Sequence, residues 1–302
     1  MTALEVVSPG PLTTIQDLGR PGWAHIGVPR SGAADRQALR TANNLVGNHP
    51  GAAALETTLV GPKLRFDGPT VIALTGAAVN ATLGGVPVPM YTSVDVAAGE
   101  LLIVGTATAG LRTYIALRGG ILAPETLGSA ATDLLTGLGP ARVARGDVLT
   151  LGDAKPLAST SVSPPADRGP APVGPGPVGP GPINPAPTLQ VVLGPREDWF
   201  TPEAIERLTS ATFSVSPASN RIGVRLDGPA LERARKDELR SEGIALGSIQ
   251  VPHDGYPILL LADHPTTGGY PVIAVLRDSE LSAAAQLRPG QQVRFTAVSR
   301  DG

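Results

Sequence analysis

Cysteine is absent from this 302-residue chain. Its absence excludes thiol nucleophiles, disulfides and cysteine-ligated zinc or iron–sulfur centres. Aromatic residues make up only 3%, and methionine occurs twice, at Met1 and Met90. Neither sign of charge is in excess: 24 basic residues face 26 acidic ones, for a formal net charge of −2. With the two signs interspersed, nothing marks a nucleic-acid or anionic-membrane surface. Long apolar runs are also missing, and a stretch such as residues 257–262 is too short to cross a bilayer. No basic region followed by an apolar one opens the chain, so a cytoplasmic location is expected. His25, His49, His253 and His264 form neither an i, i+4 pair nor a His-Glu-x-x-His helix, so no metal site is expected.

Apolar residues are plentiful at 42%, enough to fill a sizeable core, and Gly (37) and Pro (31) punctuate the chain throughout. Residues 53–151 read as short β-type runs (71–75, 93–96, 101–105, 112–117 and 148–151), several entered through a Gly-acid turn. That spacing argues for barrels or sandwiches and against a parallel α/β sheet. Three helices are expected outside this stretch. One follows the cap Asp35, carries Ala38, Leu39, Ala42, Leu45 and Val46 at helical spacing, and stops at Gly47. Another opens with Thr201 as cap and Pro202 as first residue, and a short one covers 279–286. The polar, Gly-rich segment 14–22 is read as a loop presenting Asp17 and Arg20 as a charge pair. Residues 233–240 are a mixed charge run, read as a solvated face.

Residues 155–188 hold eleven of the prolines and almost nothing to bury, as a linker would. Gly174-Pro175-Gly176-Pro177-Val178-Gly179 in it matches G-x-G-x-x-G only formally. Its prolines lack the N–H groups that would hold a pyrophosphate, and no strand precedes it. The chain therefore divides into a half at 1–154, a linker at 155–188 and a half at 189–302. Residues 59–64 (Leu-Val-Gly-Pro-Lys-Leu) resemble 226–231 (Leu-Asp-Gly-Pro-Ala-Leu), which suggests two related halves. The expected fold is mainly β with a few short helices, in two β-barrel-like halves.

Functional groups are densest at residues 241–271. There Gln250, His253, Asp254, Asp263, His264, Thr266, Thr267 and Tyr270 stand between strand-like runs 248–251 and 257–262. Thr267-Gly268-Gly269-Tyr270 is a turn whose glycines let backbone approach a ligand closely. An ordinary hairpin between two core strands accounts for the same residues.

Several motifs carry a family resemblance. Thr14-Ile15-Gln16-Asp17-Leu18-Gly19-Arg20, Ser31-Gly32-Ala33-Ala34-Asp35, Ser219-Asn220-Arg221-Ile222-Gly223 and Thr266-Thr267-Gly268-Gly269-Tyr270-Pro271 are four of them. The chain resembles the family known as allophanate hydrolase subunit 2, biotin-dependent carboxyltransferase, or the C-type (KipA-like) subunit of 5-oxoprolinase. The resemblance covers nearly everything outside the linker. It implies cyclophilin-like β-barrels and pairing with a smaller KipI-like (allophanate hydrolase subunit 1-like) partner, with a LamB/YcsF-like third subunit also in view. It further implies a small amide substrate such as 5-oxoproline or urea, with ATP handled through the complex. His264-Pro265 stands where many members have Arg-Gln, and Ala130 where many have Arg.

The residues limit what the chain does alone. It has no Gly-Gly-Ser-Ser amidase loop, no Gly-x-Ser-x-Gly elbow and no Walker-type Gly-Lys-Ser/Thr loop. No lysine sits between methionines, so biotin, if used, is carried by a partner. Within the resemblance, Asp263 or Glu242 is the candidate general base and Arg221 the fork for a carboxylate or phosphate. Gln250, Thr266, Thr267 and Tyr270 are the candidate substrate-binding groups, with Asp17 and Arg20 as further contacts. Each also has a structural role open to it: Glu242 as a turn cap, Gln250 at a buried strand end, Tyr270 in a core, Arg221 in an ion pair. Two functions stay open, an enzyme subunit and a non-catalytic regulator that antagonises a kinase-inhibitor-like partner.

Overall fold

The computed structural model describes residues 2–153 and 186–299. The G-x-G-x-x-G look-alike and the linker up to residue 185 lie outside the described residues; at its far end Thr188 already starts a strand.

The first half contains β1 (Ala3–Ser8), β2 (Thr13–Gln16), α1 (Arg36–Leu45), β3 (Ala54–Thr58), β4 (Lys63–Phe66), β5 (Thr70–Leu83), β6 (Val86–Val88), β7 (Ser93–Val96), β8 (Leu101–Leu117), β9 (Ile121–Leu122) and β10 (Val148–Leu151). Its barrel-like sheet runs β2-β3-β8-β4-β1-β10-β9, with β5 laid along β8 and carrying β6 and β7. The second half contains β11 (Thr188–Leu193), α2 (Pro202–Ser210), β12 (Phe213–Val215), β13 (Gly223–Asp227), β14 (Glu242–Gly243), β15 (Ser248–Gln250), β16 (Ile258–Leu260), β17 (Thr267–Gly268), β18 (Val272–Leu276), α3 (Leu281–Ala285) and β19 (Gln292–Ala297). It closes as the barrel β11-β18-β15-β16-β13-β12-β19, sealed by the parallel pair β11–β19, while β14 and β17 form a separate two-stranded flap. Each half has its own core, one around Phe66, Leu74 and Ile115, the other around Phe213, Leu259 and Phe295. Among the described residues no helix is long and apolar enough to cross a membrane.

Helix α1 forms where expected: Asp35 accepts from the Ala38 amide at 2.9 Å, and Gly47 ends it at φ +74°. It lays Ala38, Leu39 and Ala42 against Ala73, Tyr114 and Ala116 of β5 and β8. Asn43 on its buried face donates to the Ala52 carbonyl at 2.8 Å, which ties the following loop down. Thr201 caps α2 through the Ala204 amide, with Pro202 in the first turn.

Two expectations need correction. Residues 101–105 and 112–117 are one strand, β8, because its register against β5 shifts at bulges instead of breaking. Residues 13–16, read as loop, form the fully buried strand β2. Distant groups engage its polar side chains: Thr13 donates to the Thr57 hydroxyl at 3.1 Å and the Gln16 amide nitrogen to the Thr132 carbonyl at 2.9 Å, while the buried Gln16 Oε1 has no partner among the described residues. The matched segments 59–64 and 226–231 hold comparable places. Each leaves a strand, each ends in a fully buried leucine (Leu64, Leu231), and each glycine faces an apolar side chain, Val104 or Phe213.

Candidate functional site

The two halves meet through charged groups. In the loop before β13, Asn220 accepts from the Ile222 and Gly223 amides at 2.8 and 3.2 Å. This turn aims Arg221 out of its own barrel and into the seam. Its Nε and Nη2 donate to the two oxygens of Asp263 at 2.8 and 3.0 Å, a bidentate pair within the second half. Across the seam Nη1 donates to Glu56 of β3 and Nη2 to the Gly32 carbonyl at 2.6 Å. Asp263 also crosses over, accepting from Ser31 Oγ at 2.7 Å and from the Leu134 amide at 3.1 Å.

A second ring of contacts surrounds this one. Tyr114 donates to Glu56 at 2.7 Å and accepts from the Asp35 amide at 2.7 Å. Arg112 Nε stands 3.6 Å from Glu56, and its Nη1 donates to the Ala285 carbonyl of the other half. Gln286 accepts from the Leu111 and Arg112 amides at 2.9 Å each, and donates to Asp35 at 2.8 Å.

Burial disfavours the charge on Arg221, but Glu56 and Asp263 outweigh it and hold the guanidinium above the ordinary arginine range. Burial likewise pushes the Glu56 carboxyl up, yet Arg221 and Arg112 bring it below its usual range. Burial lowers Arg112 and raises Tyr114 well above the phenol range. His264, beside Asp263, is lowered by burial and so is held neutral. Glu56 and His264 both bind protons less readily folded than unfolded, so both withdraw stability as pH falls. The Glu56 contribution is intact above the unfolded glutamate value, about 4.3, and that of His264 above about 6.5. The denaturation midpoint is expected to be level near pH 7–8, to drop below about pH 6.5, and to drop again below about pH 4. Unfolding curves at stepped pH check this, and His264→Asn should remove the first fall alone.

The residues named from sequence separate into three places. Arg221 and Asp263 come together, but they are 1% and 0% exposed, and all the contacts of Asp263 are with the chain itself. That geometry is an anchor between halves, with no carboxylate oxygen offered to solvent. Glu242 lies elsewhere, on the flap strand β14, half-buried and paired with Arg196 at 2.6 Å. On the same flap Glu242 pairs with Gly268, Gly243 with Thr267, and the Thr266 carbonyl accepts from Ile244 at 2.9 Å. Gln250 beneath it donates to the Tyr270 carbonyl at 3.2 Å, and the Tyr270 ring is exposed. Asp17 and Arg20 form the third place and are not a charge pair. Asp17 accepts from Gly19, Ser129 and Ala130, whereas Arg20, 1% exposed, donates to the Thr126 and Ala131 carbonyls. Both fasten loop 126–133, and the carboxylate in reach of Arg20 is Asp133 of that loop, at 4.0 Å, in place of Asp17.

Sequence reasoning missed Glu56, Arg112, Ser31, Gly32 and Gln286. The signal for Glu56 was present: one carboxylate stands in the middle of the otherwise uncharged run Ala54-Leu55-Glu56-Thr57-Thr58, and a buried charge needs a partner.

This two-barrel arrangement has known counterparts. A family model described as carboxyltransferase domain, subdomain A and B, matches residues 26–297. The chain belongs to that carboxyltransferase-domain family. The C-type subunit of 5-oxoprolinase from Escherichia coli (strain K12) is 35% identical over 296 residues, 98% of this chain and 91% of that protein. Urea amidolyase of Lachancea kluyveri is 38% identical over 98% of this chain, which spans only 17% of the yeast protein. The crystal structure of the K. lactis urea amidolyase superposes with a TM-score of 0.84 at 36% identity, covering 98% of this chain and 19% of that one. In this carboxyltransferase-domain chain His264 shares a hydrogen bond between Nδ1 and the Pro265 carbonyl at 2.7 Å, and the Ala130 amide is held by Asp17 at 2.7 Å.

Proposed function

We propose that this chain is the C-type component of an ATP-dependent complex that hydrolyses a small cyclic amide, with 5-oxoproline to glutamate as the reaction. It works in the cytoplasm beside a KipI-like subunit, with a LamB/YcsF-like protein as the third member of the complex. ATP is handled through that complex. The observation that carries this reading is the match along 91% of the E. coli 5-oxoprolinase component. The likeness to urea amidolyases favours one second reading, the carboxyltransferase part of a urea carboxylase, with biotin carried by a partner.

Within the first reading the flap over the second barrel takes the substrate. Gln250, Thr266, Thr267 and Tyr270 supply polar contacts around a backbone that glycine keeps open. Glu242 is the general base, because its carboxylate is 23% exposed whereas Asp263 is sealed. Arg221 and Asp263 act by position, fixing the second barrel against the first, and Asp17 and Arg20 do the same for loop 126–133. With the complex reconstituted, 5-oxoproline-dependent ATP turnover is expected, and Glu242→Gln should lower kcat by about 10²–10⁴-fold while lowering the melting temperature by no more than about 4 °C. Undiminished turnover in that variant sinks the assignment of the base. Turnover that needs urea and a biotinylated carrier selects the carboxyltransferase reading, and a complex that assembles but turns over neither substrate selects a regulator.

A further inference from the structure

The charge run at residues 233–240, read from sequence as a solvated face, borders a cleft. The cleft has a volume of about 550 Å³ and lies between α2, the segment after Ala230 and the turn at His253-Asp254-Gly255. Arg207, Arg233, Arg235 and Lys236 line it, against only Glu232 and Asp254 of opposite charge. Of these cations only Arg235 has a carboxylate in ion-pair reach among the described residues, Asp198 at 2.8 Å. Arg207 donates to the Ala230 carbonyl at 3.4 Å.

Arg233 is the most constrained of them. One Nη donates to the Val251 carbonyl and the other to His253 Nδ1 at 3.3 Å, and the guanidinium carbon stands 5.9 Å from the Tyr270 ring centre. Its Nε is sealed from solvent and has no partner among the described residues. Neutral acceptors and a π face thus hold this guanidinium, with Asp254 the nearby acid and no carboxylate in ion-pair reach among the described residues. Arginine can only donate, so the Nδ1 of His253 is the acceptor, its proton sits on Nε2, and the ring adds a donor to the cleft wall.

We propose that this cleft binds a phosphate-type oxyanion. Three forked or charged donors without a carboxylate partner, from two separate segments, can meet more than two oxygens at once. A carboxylate has only two to offer, and a phosphoryl group has three or four. The volume lies in the range of small-ligand sites. His253, on the cleft wall, packs edge-on against the Tyr270 ring beside it at 6.0 Å.

Inorganic phosphate, titrated into the full chain at low salt and followed by calorimetry, is expected to bind saturably, with L-glutamate at least about tenfold weaker. Added sodium chloride should weaken phosphate further, as it does any contact between accessible charges. Lys236→Gln should reduce affinity by about fivefold and Arg233→Gln by at least about tenfold, while Arg65→Gln on the distant strand β4 leaves it unchanged. Arg233→Gln also removes the bond to Val251, so the exposed Lys236→Gln serves where that variant melts early. ADP as a parallel titrant distinguishes two sources of the group. Equal affinity marks a site for free phosphate, and tighter ADP marks one for a nucleotide's phosphates. The proposal is overturned if neither binds saturably, or if Lys236→Gln and a folded Arg233→Gln bind as the parent does. Binding is read without partner proteins or turnover, so the result stands apart from the functional reading above.

Discussion

Arg221→Ala is expected to destabilise the chain by about 3–5 kcal/mol, the cost of breaking a buried ion cluster from one side. The substitution leaves Glu56 and Asp263, 1% and 0% exposed, charged and facing a space from which the cation has gone. Arg112 stays 3.6 Å from Glu56, and Ser31, Tyr114 and two backbone amides still donate to these carboxylates, but only Arg221 engages both, and Asp263 is left with neutral donors alone within bonding reach. For a chain of this size the melting temperature should fall by on the order of 10 °C. Asp263→Ala should cost a similar amount, because it strips Arg221 of its bidentate partner and leaves Glu56 as its only carboxylate. The double variant should cost less than the sum of the two, since neither charge then remains unpaired with the other. Glu242→Ala should shift stability by no more than about 1 kcal/mol, as its pairing with Arg196 is partly solvated. Thermal and urea unfolding of the four variants check the set. If Arg221→Ala melts with the parent, the seam is not held by this cluster, and the positioning role given to Arg221 and Asp263 falls with it.

How much of this arrangement can be read from sequence depends on how far apart the interacting residues lie. Helix α1 was legible because its cap, its apolar stripe and its terminal glycine fall within thirteen residues, and the Thr201-Pro202 opening of α2 was legible for the same reason. Strands β15 and β16 of the second barrel were legible as the apolar runs 248–251 and 257–262. Strand β2 was not, because its threonines and glutamine bond to groups at residues 57 and 132, and only those distant partners make a polar strand stable inside. Sequence proximity also misled. Asp17 and Arg20 are three apart and not partners, whereas Arg221 finds its second carboxylate 165 residues away at Glu56. The Thr-Thr-Gly-Gly-Tyr-Pro run lies on the flap, but it could not say that Asp263 is sealed in the seam while Glu242 sits half-buried on the flap beside Arg196. Composition could say still less about residues 233–240, where the same charges serve a solvated face or a cleft depending on what stands opposite.

Gly32→Ala is the other substitution from which a large loss is expected. Gly32 has φ +90°, a conformation that a Cβ-bearing residue adopts only under strain. A Cβ there would lie 2.6 Å from the Gly19 nitrogen, 2.8 Å from the Leu18 carbonyl carbon and 2.9 Å from the Gly19 Cα. All three are backbone atoms, and Gly19 is pinned in turn, since its own Cβ would lie 2.5 Å from the Arg30 and Ser31 oxygens. The segments 17–20 and 30–33 therefore touch main chain to main chain, and only glycine at both points permits the contact. To admit a methyl group the 31–33 segment must move, and it carries two of the seam's contacts, Ser31 Oγ on Asp263 and the Gly32 carbonyl on Arg221. The expected cost is about 2–4 kcal/mol, above the backbone penalty alone. Gly22→Ala separates the two parts, because Gly22 has φ +95° but nothing within 4 Å of the added carbon, so only the conformational cost of about 1 kcal/mol applies. The two variants are compared by thermal unfolding, and hydrogen exchange at the Leu134 amide reports on Asp263 directly. Equal losses at Gly32 and Gly22 would mean that the loops part without cost and that the seam does not depend on their contact. A larger loss at Gly32 with faster exchange at Leu134 would tie the Gly-rich loops of the first half to the charge cluster that orients the second.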